Sequence, residues 1–153
     1  MGRGAVSIFI DTSALYALMV TEDAHHEAAV MCFEQLDDLE VELVSTNYVL
    51  LECASLIQRR QGFESAQFVL TKTSTMLDVI WVDQATHETA VQVWTKAKSR
   101  TLSLVDCTSF SAMRAHGIRR AAAFDAHFTQ AGFEVLPQAD RAAERKAMYR
   151  VKS

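Results

Sequence analysis

Read for its apolar and polar positions, the chain alternates short apolar runs with longer segments of helical spacing. Val6–Ile10 is β-branched and almost wholly apolar, the pattern of a buried strand. Ser13–Val20 predicts a helix, and Ala24–Leu36 a longer one with Ala28, Ala29, Met31, Cys32 and Leu36 on its apolar side. Glu42–Ser45 predicts a second strand. Thr46 or Asn47 then caps a helix to about Arg60, where Gly62 ends it. Glu64–Met76 predicts a helix with Phe68, Val69 and Met76 inward, and Val79–Val82 a strand. Asp83 caps a helix through about Ala97, and Asp106 starts another that stops near His116-Gly117. Ala121–Phe124, Asp125–Gln130 and Glu134–Leu136 predict strand, short helix and strand. Gly132 sits in the last turn, and Pro137 closes the compact part.

Strands alternating with helices imply an α/β fold, a parallel sheet covered on both faces. Such sheets place their sites at the carboxyl ends of the strands, the position of both Asp11 and Asp125. No internal repeat is detectable. The expected organisation is one domain, 1–137, followed by a polar, basic segment, 138–153, carrying Arg141, Arg145, Lys146, Arg150 and Lys152.

Composition narrows this picture. With 153 residues, 50% of them hydrophobic, the chain can bury a sizeable core, and one Pro with five Gly argues against a linker or a loop-rich sandwich. The apolar stretches fall short of a membrane span, and no basic segment followed by an apolar one opens the chain. Cys32, Cys53 and Cys107 lack CxxC spacing and read as reduced core residues of a cytoplasmic protein; a zinc site is not expected. The adjacent His25 and His26 read as surface residues at a helix start.

The net charge is −4, which argues against a general nucleic-acid coat protein, yet fourteen of the fifteen basic residues lie from Arg59 onward. Two readings stay open. Most of these residues are a solvated surface, or some form a basic rim facing an acidic pocket, with Arg59, Arg60, Lys96, Lys98, Arg100, Arg114, Arg119 and Arg120 as candidates.

That pocket is suggested by four isolated carboxylates. Asp11 ends the first apolar run, Glu52 is the one charge in Tyr48–Leu56, Asp106 follows Leu104-Val105, and Asp125 closes Ala121–Phe124. Taken singly, Asp11, Asp106 and Asp125 read as helix caps. Glu52 is harder to dismiss, although a buried Glu can be protonated or paired. Together they suggest a divalent cation, because unpaired buried carboxylates are costly. Oxygen ligands without a His/Cys cluster suit Mg²⁺ or Mn²⁺.

Four blocks, Ile8–Leu15, the central Glu52, Leu104–Phe110 and Phe124–Phe128, resemble the signature blocks of the PIN domain, and more narrowly of VapC-type toxins. The resemblance runs from about Ser7 to Pro137. It implies a three-layer α/β/α domain with a central parallel sheet, and a Mg²⁺- or Mn²⁺-dependent endoribonuclease that leaves 5′-phosphate and 3′-hydroxyl ends. Asp11, Glu52, Asp106 and Asp125 fall on the family's acidic positions, as catalytic and metal-holding residues, and Ser13 on a hydroxyl that supports the first Asp. Ala123 and Phe124 stand where a Thr often precedes the last Asp. His127 reads as a turn histidine, with a phosphate contact as the lesser reading. The implied partners are RNA, a small antitoxin and a second copy of the chain, with Leu18, Met19, Ala28 and Met31 as candidate contacts. Two rivals remain: a degenerate PIN domain that scaffolds RNA or protein, and a haloacid-dehalogenase-like phosphatase. The latter carries Asp-x-Asp after the first strand, where this chain has Ser13.

Overall fold

In the computed structural model of the chain, which describes residues 6–138, the central strand β1 (Ser7–Ile10) has neighbours on both sides. β2 (Glu42–Thr46) and then β3 (Asp78–Ile80) lie to one side, β4 (Arg120–Ala122) and then β5 (Glu134–Leu136) to the other, all parallel. Phe9 sits opposite Val44 and Ala121, and Ala122 opposite both Ile10 and Leu136. Sequence order runs outward from β1 and then restarts on its far side. The carboxyl edge between β1 and β4 is therefore the switch point where open parallel sheets place their ligands.

Among the described residues seven helices flank the sheet: α1 (Thr12–Met19), α2 (His26–Asp38), α3 (Asn47–Gln61), α4 (Phe63–Thr71), α5 (Gln84–Ala97), α6 (Leu104–Ala115) and α7 (Ala126–Gln130). The expected α/β/α layering is thus the observed one. The core gathers Ile8, Phe9 and Ile10 of β1 with Leu15, Val49, Ile57, Met113 and Phe128, all essentially without exposed surface. Phe128 anchors α7 by meeting Phe110 edge-on at 4.9 Å and Phe9 at 6.3 Å between ring centres. Full burial of such a ring stabilises by about 1.5–3 kcal/mol.

Several expected boundaries move, each for a local reason. The helix predicted over Glu64–Met76 stops at Thr71 and continues as a 3₁₀ turn, Thr73–Met76. Ser74 Oγ and Thr75 Oγ1 bond back to the carbonyls of Leu70 and Lys72, competing with the helical ladder. Phe68 and Met76 lie exposed; Val69 alone of the predicted trio is buried. In α2, Ala29, Cys32 and Leu36 face inward while Ala28 and Met31 face out. Thr46, not Asn47, caps α3 through Val49 N, and Asn47 Oδ1 instead receives Val82 N at 2.7 Å. β1 omits Val6, β3 covers Asp78–Ile80, and β4 ends two residues before Phe124. Asp106 does not start its helix. Ser103 caps α6, and Asp106 stands three residues later as the reciprocal member of a capping box. The segment 139–153 lies outside the described residues, and no described helix is long and apolar enough to cross a membrane.

Candidate active site

The first turn of α1 shows how the sequence builds the site. The Asp11 amide still reaches the Ala122 carbonyl at 3.0 Å, while its side chain turns to cap α1. Asp11 Oδ2 accepts from Ser13 N at 3.2 Å and Ser13 Oγ at 2.6 Å. Ser13 Oγ in turn accepts from Phe124 N at 2.9 Å. One hydroxyl therefore ties the ends of β1 and β4 together across the switch point. The Thr that Ala123 or Phe124 replaces is not what orients this turn; Ser13 does so from across the sheet.

The other carboxylates arrive from separate elements. Glu52 projects from mid-α3, which packs against α1 and α6. Asp106 Oδ2 accepts from Ser103 N at 3.1 Å, and Ser103 Oγ from Asp106 N at 3.0 Å, which fixes the carboxylate at the amino end of α6. Asp125 caps α7 through His127 N at 2.7 Å. All four expected acids line one cleft of about 370 Å³, with Thr12, Ser13, Tyr16, Leu56, Thr101 and Ser103. A larger cleft, about 630 Å³, lies between α2 and the amino ends of β2 and β3, so size alone does not single out the site.

Electrostatically this is an uneasy arrangement. Burial pushes the Asp11 carboxyl up to about 7, against the Ser13 hydrogen bonds and with Asp106 adding to the rise. Burial likewise raises Glu52, reinforced by the charges of Asp106 and Asp125. It raises Asp106 too, with Asp125 adding and the Ser103 bonds and His127 opposing. Thr12 Oγ1 is buried and faces Glu52 without meeting hydrogen-bond geometry. Like charges gathered from four elements, with a buried hydroxyl unpartnered among them, fit a bound cation, and the oxygen-rich donor set fits a hard divalent one. The three thiols are free and buried; burial first, then Glu52 and Asp11, pushes Cys53 up to about 12, consistent with a core role.

His127 is the residue the sequence undervalued. Its Nδ1 lies 2.5 Å from Asp125 Oδ1 and 3.7 Å from Asp106 Oδ2, close but poorly aligned for a hydrogen bond. Its Nε2 meets Thr101 Oγ1 at 3.1 Å. Potential ligand atoms of Asp106, Asp125 and His127 all lie within 4.8 Å of one another. The available signal was the spacing Asp125-x-His127 after a strand, while nothing local marked Thr101. Ser103-x-x-Asp106 was legible as a capping box.

The basic rim is largely dispersed. Arg114 packs 5.3 Å over the Phe133 ring and donates to the Ala131 carbonyl, at the end of α6 far from Asp106. Arg119 and Arg120 stand at the amino end of β4, and Arg120 pairs with Glu134 at 3.0 Å. Arg60 reaches the cleft indirectly, donating to Tyr16 Oη at 2.8 Å. His25 is exposed as expected and stacks on Phe124 at 4.5 Å, whereas His26 Nδ1 is tied to the Ala17 carbonyl at 2.7 Å.

A switch-point cleft lined by four acids on a five-stranded parallel sheet is the arrangement of a known class, and the PIN domain family model matches residues 8–134; the chain belongs to that family. Within it, the chain is 36% identical over 135 residues to the 23S rRNA-specific endonuclease VapC20 of Mycobacterium tuberculosis, covering 86% of this chain and 99% of the relative. The crystal structure of that protein, described as a Sarcin-Ricin loop cleaving toxin, superposes with a TM-score of 0.72 over 82% of this chain and 95% of the other. A VapBC2 structure from Rickettsia felis superposes at 0.64 with 13% identity, over 85% of this chain and 97% of that one, a likeness of fold alone.

Proposed function

We propose that this chain is a metal-dependent endoribonuclease of the VapC type, acting on a structured RNA. The observation that carries this reading is the convergence of Asp11, Glu52, Asp106 and Asp125, from four separate elements, on one cleft at the sheet's switch point. Asp11, Glu52 and Asp106 would hold a Mg²⁺ or Mn²⁺ ion, with Asp125 and His127 at its edge. When bound, such an ion supplies charge stabilisation and a water of lowered pKa for phosphodiester hydrolysis. The chain's own residues do the rest. Ser13 fixes the Asp11 carboxylate, Ser103 fixes Asp106, and Thr101 holds the His127 ring between the last two acids. The partly exposed Asp125 and the exposed Thr101 on the cleft wall support a place there for a substrate phosphate.

The kinship with VapC20 makes a ribosomal RNA hairpin the first substrate to test, and a cytoplasmic setting follows from such a target. A small antitoxin and a second copy of the chain are the partners proposed with it. Met31, Leu39, Phe63 and Phe68 are exposed apolar side chains open to such partners. Ser13 in place of a second Asp after β1 speaks against the phosphatase reading. The test is incubation of ribosomes and of purified 23S rRNA with the protein and Mg²⁺ or Mn²⁺, beside EDTA and Asp106→Asn controls. Discrete cuts that vanish in both controls are expected. Equal cutting by Asp106→Asn would sink the assignment, and metal binding without cutting of any RNA would favour the scaffold reading.

A further inference from the structure

The proposed site has an unsolved electrostatic problem. RNA is a polyanion, yet no Lys or Arg is among the described residues that line the acidic cleft. A second cleft, of about 780 Å³, meets it at Tyr16, a side chain with 9% of its surface exposed that lines both. Among the described residues that line this second cleft, Arg60 is the one cation. Glu22 and Asp23 line it too, but both are engaged. Gln61 Nε2 donates to Glu22 Oε2 at 3.2 Å, and His25 N to Asp23 Oδ2 at 3.0 Å.

Two helices lead from one cleft to the other. Glu52, Leu56 and Arg60 recur at every fourth position of α3 and follow one face, with Glu52 and Arg60 about 12 Å apart along the axis. Thr12 and Tyr16 have the same spacing on α1, which packs against α3. The Arg60 guanidinium lies 5.4 Å from the Tyr16 ring centre and donates through Nη1 to Tyr16 Oη at 2.8 Å. Among the described residues Arg60 forms no ion pair. One of its five donors is thus spent on orientation, and the exposed remainder keeps its charge for a ligand. A place in the last turn of α3 suits any cation. That alone does not account for the tie to Tyr16, which fixes the guanidinium beside the wall of the acidic cleft.

From this juxtaposition we infer that Arg60, oriented by Tyr16, binds a phosphate of the RNA backbone along the strand from the one cleaved in the acidic cleft. The inference rests on the nuclease reading and deepens it: the carboxylates hold the metal, and a cation one cleft away holds the strand. Arginine suits the task because its planar fork can meet a phosphate with two parallel N–H bonds. Such a contact positions a nucleic acid without reading its bases.

The experiment compares the whole chain with Arg60→Gln and with Arg59→Gln, a neighbouring exposed arginine that lines neither cleft. Both variants lose one positive charge, so the difference between them reads position and not net charge. Binding of a fluorescein-labelled RNA hairpin in EDTA is followed by anisotropy between about 50 and 200 mM salt. The kcat and KM for the same hairpin are measured with Mn²⁺. Arg60→Gln should lower the slope of log K against log salt by about 0.7–0.9, the share of one phosphate contact. Binding should weaken about tenfold and KM rise to match, while kcat and Mn²⁺ affinity move little. Arg59→Gln should stay close to the whole chain. Tyr16→Phe, which keeps the ring and the charge of Arg60 but removes the orienting oxygen, should raise KM about threefold with the slope intact. Equal behaviour of Arg60→Gln and Arg59→Gln would overturn the subsite and leave the second cleft to a protein segment. Lost Mn²⁺ affinity, or a Tm lower by more than about 5 °C in Arg60→Gln, would overturn it too, since Arg60 would then serve the fold. A whole chain that binds the hairpin through Arg60 but cuts no RNA would refute the nuclease reading alone. One that neither binds nor cuts would refute both.

Discussion

Helix α6 joins two regions built on opposite terms. Phe110, one turn past Asp106, meets Phe128 edge-on and packs 5.6 Å from Phe133, in an apolar cluster of rings. At the amino end of the same helix, Asp106 shares a cleft with three other acids, and burial opposes the ionisation of Asp106, Asp11 and Glu52. The aromatic region stabilises the fold; the acidic region draws on that stability. Functional sites are where such local conflict persists, held in place by the packing around it.

The contrast can be broken most strongly at Phe128. Phe128→Ala should cost about 3–5 kcal/mol, read from the midpoint of denaturant unfolding, because the ring is wholly buried and locks α7 under the site. A loss below about 1 kcal/mol would mean that the cluster is not the anchor described. Asp106→Asn should act in the opposite sense. Cleavage should fall by about 10²–10³ while the metal-free protein melts higher, since a buried like charge is removed and the Asn oxygen can still accept from Ser103 N. A lower metal-free Tm together with lost cleavage would make Asp106 a structural residue.

Ser13→Ala tests the tie across the switch point. It removes the 2.6 Å bond to Asp11 and the acceptor of Phe124 N, and should lower activity or metal affinity about 10–100-fold. Isothermal titration with Mn²⁺ would show whether the loss lies in binding. A further test is a pH trend in the metal-free protein. The folded Asp11 value, about 7, exceeds its unfolded value of 3.8, so the native state holds that proton more tightly. Its contribution is thus most favourable below about pH 4 and is lost as pH rises through 7, and Tm should drift down across that window. A divalent ion at about 100 times its Kd should restore about 2.7 kcal/mol. A metal-free Tm that rises over the same range in wild type but not in Asp11→Asn would contradict the burial of that charge.

Much of this was legible in the chain itself. The apolar run of β1 and the alternation of strands with helices specify a parallel α/β sheet, and Asp11, Glu52, Asp106 and Asp125 stand out because charge is conspicuous in apolar surroundings. Local chemistry was legible as well, in the Asp11 and Asp125 caps and in Gly62, whose φ of 98° lies in the left-handed region that glycine favours. These features depend on neighbours a few residues away, so they are written in order along the sequence. Of the two readings open for the basic residues, the rim is not realised at Arg114, Arg119 and Arg120, because where a residue falls relative to the site is set by the direction of its element and not by composition. The tertiary structure alone brought Ser13 to Phe124, a contact across 111 residues, and set His127 between two acids with Thr101 behind it. Those pairings arise only when β4 inserts beside β1, and no local propensity encodes that choice of neighbour.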